Sequence, residues 1–189
     1  MESNANFLQP KDDDLLMPET GRWSKIKLDY LEKYLDRFIV SMRPQKWRAI
    51  HYIDLFSGSG KNKIKNTHEV ILGSPLVALT RSRHFDVYFF SDNDPDNIAA
   101  LKQRCAASDR YLRVKTNTGD ANECVNTIMA DINRIDKVYI ENIWPSLNLA
   151  FLDPFGLELE WRTVKTLAQA KRMDLIIYYS QMGITSCPN

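Results

Sequence analysis

The stretch His51-Tyr-Ile-Asp-Leu-Phe-Ser-Gly-Ser-Gly60 decides the reading of this chain. Its first six residues are apolar or aromatic apart from His51 and Asp54, which fits a strand buried on both faces of a parallel sheet. The strand runs straight into a turn. Gly58 and Gly60 let the backbone bend sharply and approach a bound group closely, and Asp54 offers a carboxylate to a cationic one. An ordinary strand-to-loop turn is the competing reading of the two glycines.

Outward from this stretch, short apolar runs alternate with helical ones. Val87–Phe90, Leu112–Lys115, Leu147–Leu152 and Leu175–Tyr179 read as further strands, and Asn97–Arg104, Asn122–Ile132 and Trp161–Ala170 read as helices. Another helix opens at Ser74-Pro75, with Ser74 as N-cap and Pro75 as its first residue. Strands separated by helices in this way predict an α/β fold with a parallel sheet covered on both faces. Ahead of the core, Trp23, Ile26, Tyr30, Tyr34, Leu35, Phe38, Ile39 and Met42 recur at helical steps until Pro44, predicting an amphipathic helix over 23–43. Residues 1–20 have no period and read as a disordered or extended arm, leaving 21–189 as one domain with its core over 48–189.

The composition fits one globular domain. The 189 residues are 44% hydrophobic and 26% charged, enough to bury a core without disulfides or a structural metal. The three cysteines, Cys105, Cys124 and Cys187, form no C-x-x-C pair and read as reduced thiols, and no histidine falls in a metal spacing. The longest apolar run, Asp174 to Ser180, is far below the roughly 20 residues that cross a bilayer. With an acidic N-terminus in place of a signal peptide, the expectation is a cytoplasmic protein with no membrane contact. Net charge is +1, which argues against bulk electrostatic gripping of nucleic acid, although residues 21–65 carry a net +7.

Ligands of open parallel sheets bind outside the carboxyl ends of the strands. There the chain places Asp54-Leu-Phe-Ser-Gly-Ser-Gly60, Ser91-Asp-Asn-Asp-Pro95, Thr118-Gly-Asp-Ala121 and Asp153-Pro-Phe-Gly156. Asp92 is read as a ligand of vicinal ribose hydroxyls and Asp94 as the cap of the helix after Pro95; the alternative makes both caps. Asp120 is open between accepting from an adenine amine and capping the next helix. A phosphate-binding P-loop is excluded because Asn62 follows Lys61 and Leu55 stands where a glycine is required. Lys61–Leu72 reads as a solvated loop, with phosphate contact by its lysines as the lesser alternative.

The order of these motifs over residues 48–180 resembles the class I S-adenosylmethionine-dependent methyltransferases, and Asp-Leu-Phe-Ser-Gly-Ser-Gly with Asp-Pro-Phe-Gly is similar to the motifs of enzymes that methylate exocyclic amines of nucleobases. Trp23-Ser-Lys-Ile-Lys, Gly73-Ser-Pro-Leu76, Gly119-Asp-Ala-Asn122, Trp161 and Gln181-Met-Gly183 extend a resemblance to the three-Cys-motif partner proteins over almost the whole chain. These resemblances imply a three-layer Rossmann-like methyltransferase fold. They imply a mainly parallel sheet of about five strands in the order 3-2-1-4-5, an extra N-terminal helix and no final β-hairpin, so that the core is C-terminally incomplete. They imply S-adenosylmethionine as cofactor, held by Asp54, Phe56, Ser57, Gly58, Ser59, Gly60, Asp92, Asp120 and Ala121. Asp153, Pro154 and Phe155 would be catalytic, the first two accepting hydrogen bonds from the acceptor amine while Phe155 stacks on the base. No metal is implied. The partners implied are a three-Cys-motif protein and a possible nucleic acid substrate. The alternative is a non-catalytic methyltransferase-like binding subunit.

Overall fold

The computed structural model describes residues 6–156, 158–170 and 172–178. Five strands, β2 (Ile50–Asp54), β5 (Val87–Asp92), β6 (Val114–Thr118), β7 (Leu147–Leu152) and β8 (Met173–Ile177), form one sheet in the order β6-β5-β2-β7-β8. Every neighbouring pair is parallel. Helices α1 (Trp23–Met42), α2 (Ser74–Leu79) and α3 (Pro95–Ala106) cover one face, and α4 (Ala121–Asp136) and α5 (Trp161–Ala168) the other. This is a Rossmann-like α/β architecture.

Strand alternation divides the core. Tyr52, Tyr88, Phe90, Leu149 and Phe151 point to the α1–α3 side, whereas Ile53, Phe89, Ala150 and Leu152 point to the α4–α5 side. Each large apolar side chain so buried contributes about 1.5–3 kcal/mol. A second, small sheet of β1 (Glu19–Thr20), β3 (Lys61–Ile64) and β4 (Val70–Leu72) sits beside the first. At the amino ends of β2 and β7, Trp47 and Trp144 meet edge-on at 4.9 Å, and the Arg172 guanidinium lies 5.0 and 5.3 Å from their rings.

Several details differ from the sequence expectation. Residues 6–20 are folded onto the core: Asp13 is fully buried between Lys61 and Arg104, and β1 pairs with β3. The Lys61–Leu72 segment is a β-hairpin instead of a solvated loop, and Lys61 is buried. Ser74 is the first helical residue of α2, behind an extended Gly73 at the cap. The inner face of α1 is Leu28, Leu31, Leu35, Phe38 and Ile39, so Trp23, Ile26, Tyr30 and Tyr34 form an outward apolar stripe. The third strand starts two residues later and ends three later than expected, at Val114–Thr118, and the fifth starts two residues earlier, at Met173–Ile177; Tyr179 lies outside the described residues. Cys105 and Cys124 are buried free thiols, and burial pushes Cys105 up to about 12; Cys187 and the Gln181-Met-Gly183 motif lie outside the described residues. No helix among the described residues is long and apolar enough to cross a membrane.

Candidate functional site

The turn after β2 is tied from three sides. Ser57 donates from both its backbone N–H and its hydroxyl to the Ser91 carbonyl, at 2.9 and 3.0 Å, and Gly58 N–H donates to Asp92 Oδ2 at 2.8 Å. Gly73 N–H donates to the Gly60 carbonyl at 2.7 Å, and Arg104 Nη1 donates to the Ser59 carbonyl at 2.6 Å. Gly58 and Gly60 have φ of +58° and +91°, the left-handed region where a Cβ is strained. At Gly60 a Cβ would also meet Leu101 Cδ1 at 2.8 Å. Gly60→Ala is therefore expected to cost about 1–3 kcal/mol of stability. Urea unfolding checks this, and an unchanged midpoint would contradict it.

Asp92 is held by its neighbours. Its Oδ1 accepts from the Asp94 backbone N–H at 3.0 Å and from Asn97 Nδ2 at 2.9 Å. Oδ1 thus uses both of its lone pairs, and Oδ2, which accepts from Gly58 alone, keeps acceptor capacity for a ligand hydroxyl. Asp94 caps α3 through the Asp96 N–H at 2.8 Å, and Asp120 caps α4 through the Asn122 N–H at 2.7 Å. Asp54 lies under the turn with no exposed surface; its Oδ1 accepts from the Phe56 N–H at 3.2 Å, and its Oδ2 has no hydrogen-bond donor among the described residues. Burial pushes its carboxyl up to about 7, with the charges of Asp153 and Asp92 adding to the rise and the nearby Ser74 hydroxyl and Phe56 N–H opposing it.

Two clefts open at the carboxyl end of the sheet. The inner one, about 640 Å³, is lined by Phe56, Asp92, Asp120, Ala121, Asp153 and Phe155 among the expected residues. It also takes in Asn93, Asp94, Asn97, Asn122, Glu158 and Glu160. Its six carboxylates face no lysine or arginine in the lining. The outer cleft, about 550 Å³, shares Phe56, Asp153 and Phe155 with the inner one and adds Ser57, Gly58, Pro154, Trp23, Ser24, Lys27 and Lys65. Asp54, Ser59 and Gly60 line neither; they shape the turn from below.

Two residues that spacing alone did not single out matter here. Asn122 joins α4 to the segment after β7: its amide donates to the Glu158 carbonyl at 3.1 Å, and its Oδ1 accepts from Glu160 N–H at 3.1 Å and Thr163 Oγ1 at 2.5 Å. Its signal was the Gly119-Asp-Ala-Asn122 motif. Lys27, from the second turn of α1, pairs with Asp153 Oδ2. It closes the Trp23-Ser-Lys-Ile-Lys motif, but nothing in the sequence paired it with Asp153.

No family model matches this chain, and no curated protein matches it. Among solved structures, a conserved hypothetical protein of Streptococcus pyogenes is similar at 15% identity and a TM-score of 0.42, covering 73% of this chain and 68% of that one.

Proposed function

We propose that the chain is a methyltransferase-like protein that takes S-adenosylmethionine in the inner cleft and methylates an exocyclic amine of a nucleobase in DNA or RNA, working with a three-Cys-motif partner. The observation that carries this reading is the hydrogen bond from Gly58 N–H to Asp92 Oδ2 at 2.8 Å, which joins the glycine turn to the strand-end acid at the wall of one acidic cleft. The donor set fits the group. Four of the six carboxylates in the lining, Asp92, Asp94, Asp120 and Glu158, have no ion-pair partner among the described residues, while Asp153 and Glu160 are paired with Lys27 and Arg162; an acidic lining of this kind suits a ligand of net positive charge. The outward stripe of Trp23, Ile26, Tyr30 and Tyr34 supports a protein partner.

Bound S-adenosylmethionine would supply an electrophilic methyl group on a sulfonium. In this chain Asp92 would accept from a ribose hydroxyl, Asp120 and Ala121 would border the adenine, and Phe56 would wall the cleft toward the acceptor side. Asp153 and the Pro154 carbonyl would orient the acceptor amine by accepting its N–H groups, and the 90% exposed Phe155 is free to stack on a base. A base in a duplex would first have to leave the stack.

Calorimetry with S-adenosylmethionine tests the reading. Binding by the wild type and a loss of about 10–100-fold in Asp92→Ala are expected, the range for losing charge-assisted hydrogen bonds. No heat with the wild type overturns it. Nucleoside mass spectrometry of a host expressing wild type or Asp153→Ala then separates an enzyme from a binding subunit: a modified nucleoside lost in the variant is expected, and identical profiles favour the subunit.

A further inference from the structure

The geometry points to Lys27 as a specificity-determining residue of the acceptor site: its ammonium takes Oδ2 of Asp153, so an acceptor amine that bonds this carboxylate must share it with a cation. This rests on the reading of the inner cleft as a methyl-donor site.

Lys27 is built into its position. Its side chain and that of Asp153 are only 10% and 21% exposed. Its Nζ lies 4.8 Å from the Trp23 ring centroid and 4.9 Å from that of Tyr178, and these two rings stack nearly parallel, 6.0 Å apart with 5° between their planes. Trp23 is one turn earlier on α1 and Tyr178 directly follows β8, where its N–H donates to the Leu152 carbonyl at 2.9 Å. Helix, sheet and two aromatic rings together therefore hold one cation against the strand-end carboxylate. A cation within reach of two aromatic rings gains attraction from both while it loses water.

Asp153 stands on the border of the two clefts, since Phe56, Asp153 and Phe155 line both. A ligand of the inner cleft that extends toward the outer one meets the Lys27–Asp153 pair at that border. A neutral amine donates a weaker hydrogen bond to a carboxylate than an ammonium does, by roughly a factor of two. Such an amine bonds Asp153 beside Lys27 without removing it. The favoured acceptor carries, next to its amine, an atom that accepts from the Lys27 ammonium, such as a ring nitrogen or a carbonyl oxygen, together with a flat face for Trp23 or Phe155. Simple alkylamines have neither, and a peptide lysine brings a second cation to a place already holding one. Aminated heteroaromatic rings meet both conditions.

The pair can be probed with two nucleosides that share one scaffold. Sinefungin carries an amino group where S-adenosylmethionine carries its methyl; S-adenosylhomocysteine carries nothing there. Calorimetric titration of both into wild type, Lys27→Met and Lys27→Arg is the experiment, with thermal melts to confirm that each variant is folded. Sinefungin is expected to bind Lys27→Met at least tenfold more tightly than wild type, while S-adenosylhomocysteine changes less than twofold and Lys27→Arg behaves as wild type. Equal changes for both nucleosides in Lys27→Met would mean a structural role only and overturn the proposal. Tight sinefungin binding to wild type, unaltered in Lys27→Met, overturns it as well and leaves the donor site standing. Binding of neither nucleoside by any of the three chains overturns the donor-site reading itself, and the role of Lys27 with it.

Discussion

Asp13→Ala is expected to lower the unfolding free energy by about 3–5 kcal/mol, because it leaves two buried cations without their anion. Asp13, Lys61 and Arg104 have no exposed side-chain surface. Arg104 grips the carboxylate with both Nε and Nη2, at 2.9 and 2.7 Å, and Lys61 Nζ completes it at 2.7 Å. Lys61 spends its other donors on the Asn6 and Lys11 carbonyls, so neither cation can turn to another acceptor without breaking the arm. Burial raises the Asp13 carboxyl, but the bonds from Arg104 and Lys61 outweigh it and hold it below its ordinary value. Lys61 is lowered, since burial outweighs an anion that it must share with Arg104. The depressed carboxyl contributes stability above 3.8, the ordinary value, and loses it as pH falls through the folded one. A domain of this size has a total of about 5–15 kcal/mol. Urea titration at neutral pH should show an early midpoint or an unfolded variant, with Asp13→Asn losing less; a shift worth under about 1 kcal/mol would refute the account.

Asp54→Asn is expected to act in the opposite sense, stabilising the fold as pH rises. The wild-type carboxyl is raised from 3.8 to about 7, so over that interval the native state holds a proton that the unfolded state has released. Stability falls as pH climbs through the interval, by as much as about 4 kcal/mol when the shift is converted at 1.36 kcal/mol per unit. Above about 7 the penalty is constant. An amide of the same shape keeps an oxygen for the Phe56 N–H and carries no charge to desolvate. Unfolding free energies at several pH values between 4 and 8 should give a variant-minus-wild-type difference that grows with pH and then levels. A flat difference would show that the carboxyl is not titrating in the fold. The charge of Asp54 thus costs stability beneath the glycine turn.

The legible parts of the molecule were those whose causes are local. Leu147–Leu152 begins and ends where its run does, because all six residues are buried in the sheet and the one polar residue among them, Asn148, is paired inside with His51. Asp94 was legible as a cap from Asp-Pro at a helix start. By contrast, β6 is the polar sequence Val-Lys-Thr-Asn-Thr at an edge, and the apolar Leu112 just before it, which drew the reading there, is 95% exposed. On α1 two adjacent apolar faces compete, and periodicity cannot say which one meets the sheet. The acidic Asp12-Asp-Asp14 looks solvated in any window, since the partners that bury Asp13 lie 48 and 91 residues away. Lys27 and Asp153, 126 residues apart, were hidden for the same reason. Within the site, the strand-end acids were visible from the alternation of elements, whereas the charge pair that guards Asp153 is a product of tertiary structure.

The clasp on Asp13 also sets a timetable for synthesis. Arg104, which reaches past Asp13 to the Ser59 carbonyl, is made 91 residues after it. At about 5–20 residues per second, that is an interval of roughly 5–18 s. Throughout it the N-terminal acids wait in water while the glycine turn has no cation behind it. The hydrogen bond that Arg104 gives the turn can form only once α3 has been made, so a nascent chain of sixty or ninety residues already carries every letter of the glycine motif without the contact that braces it.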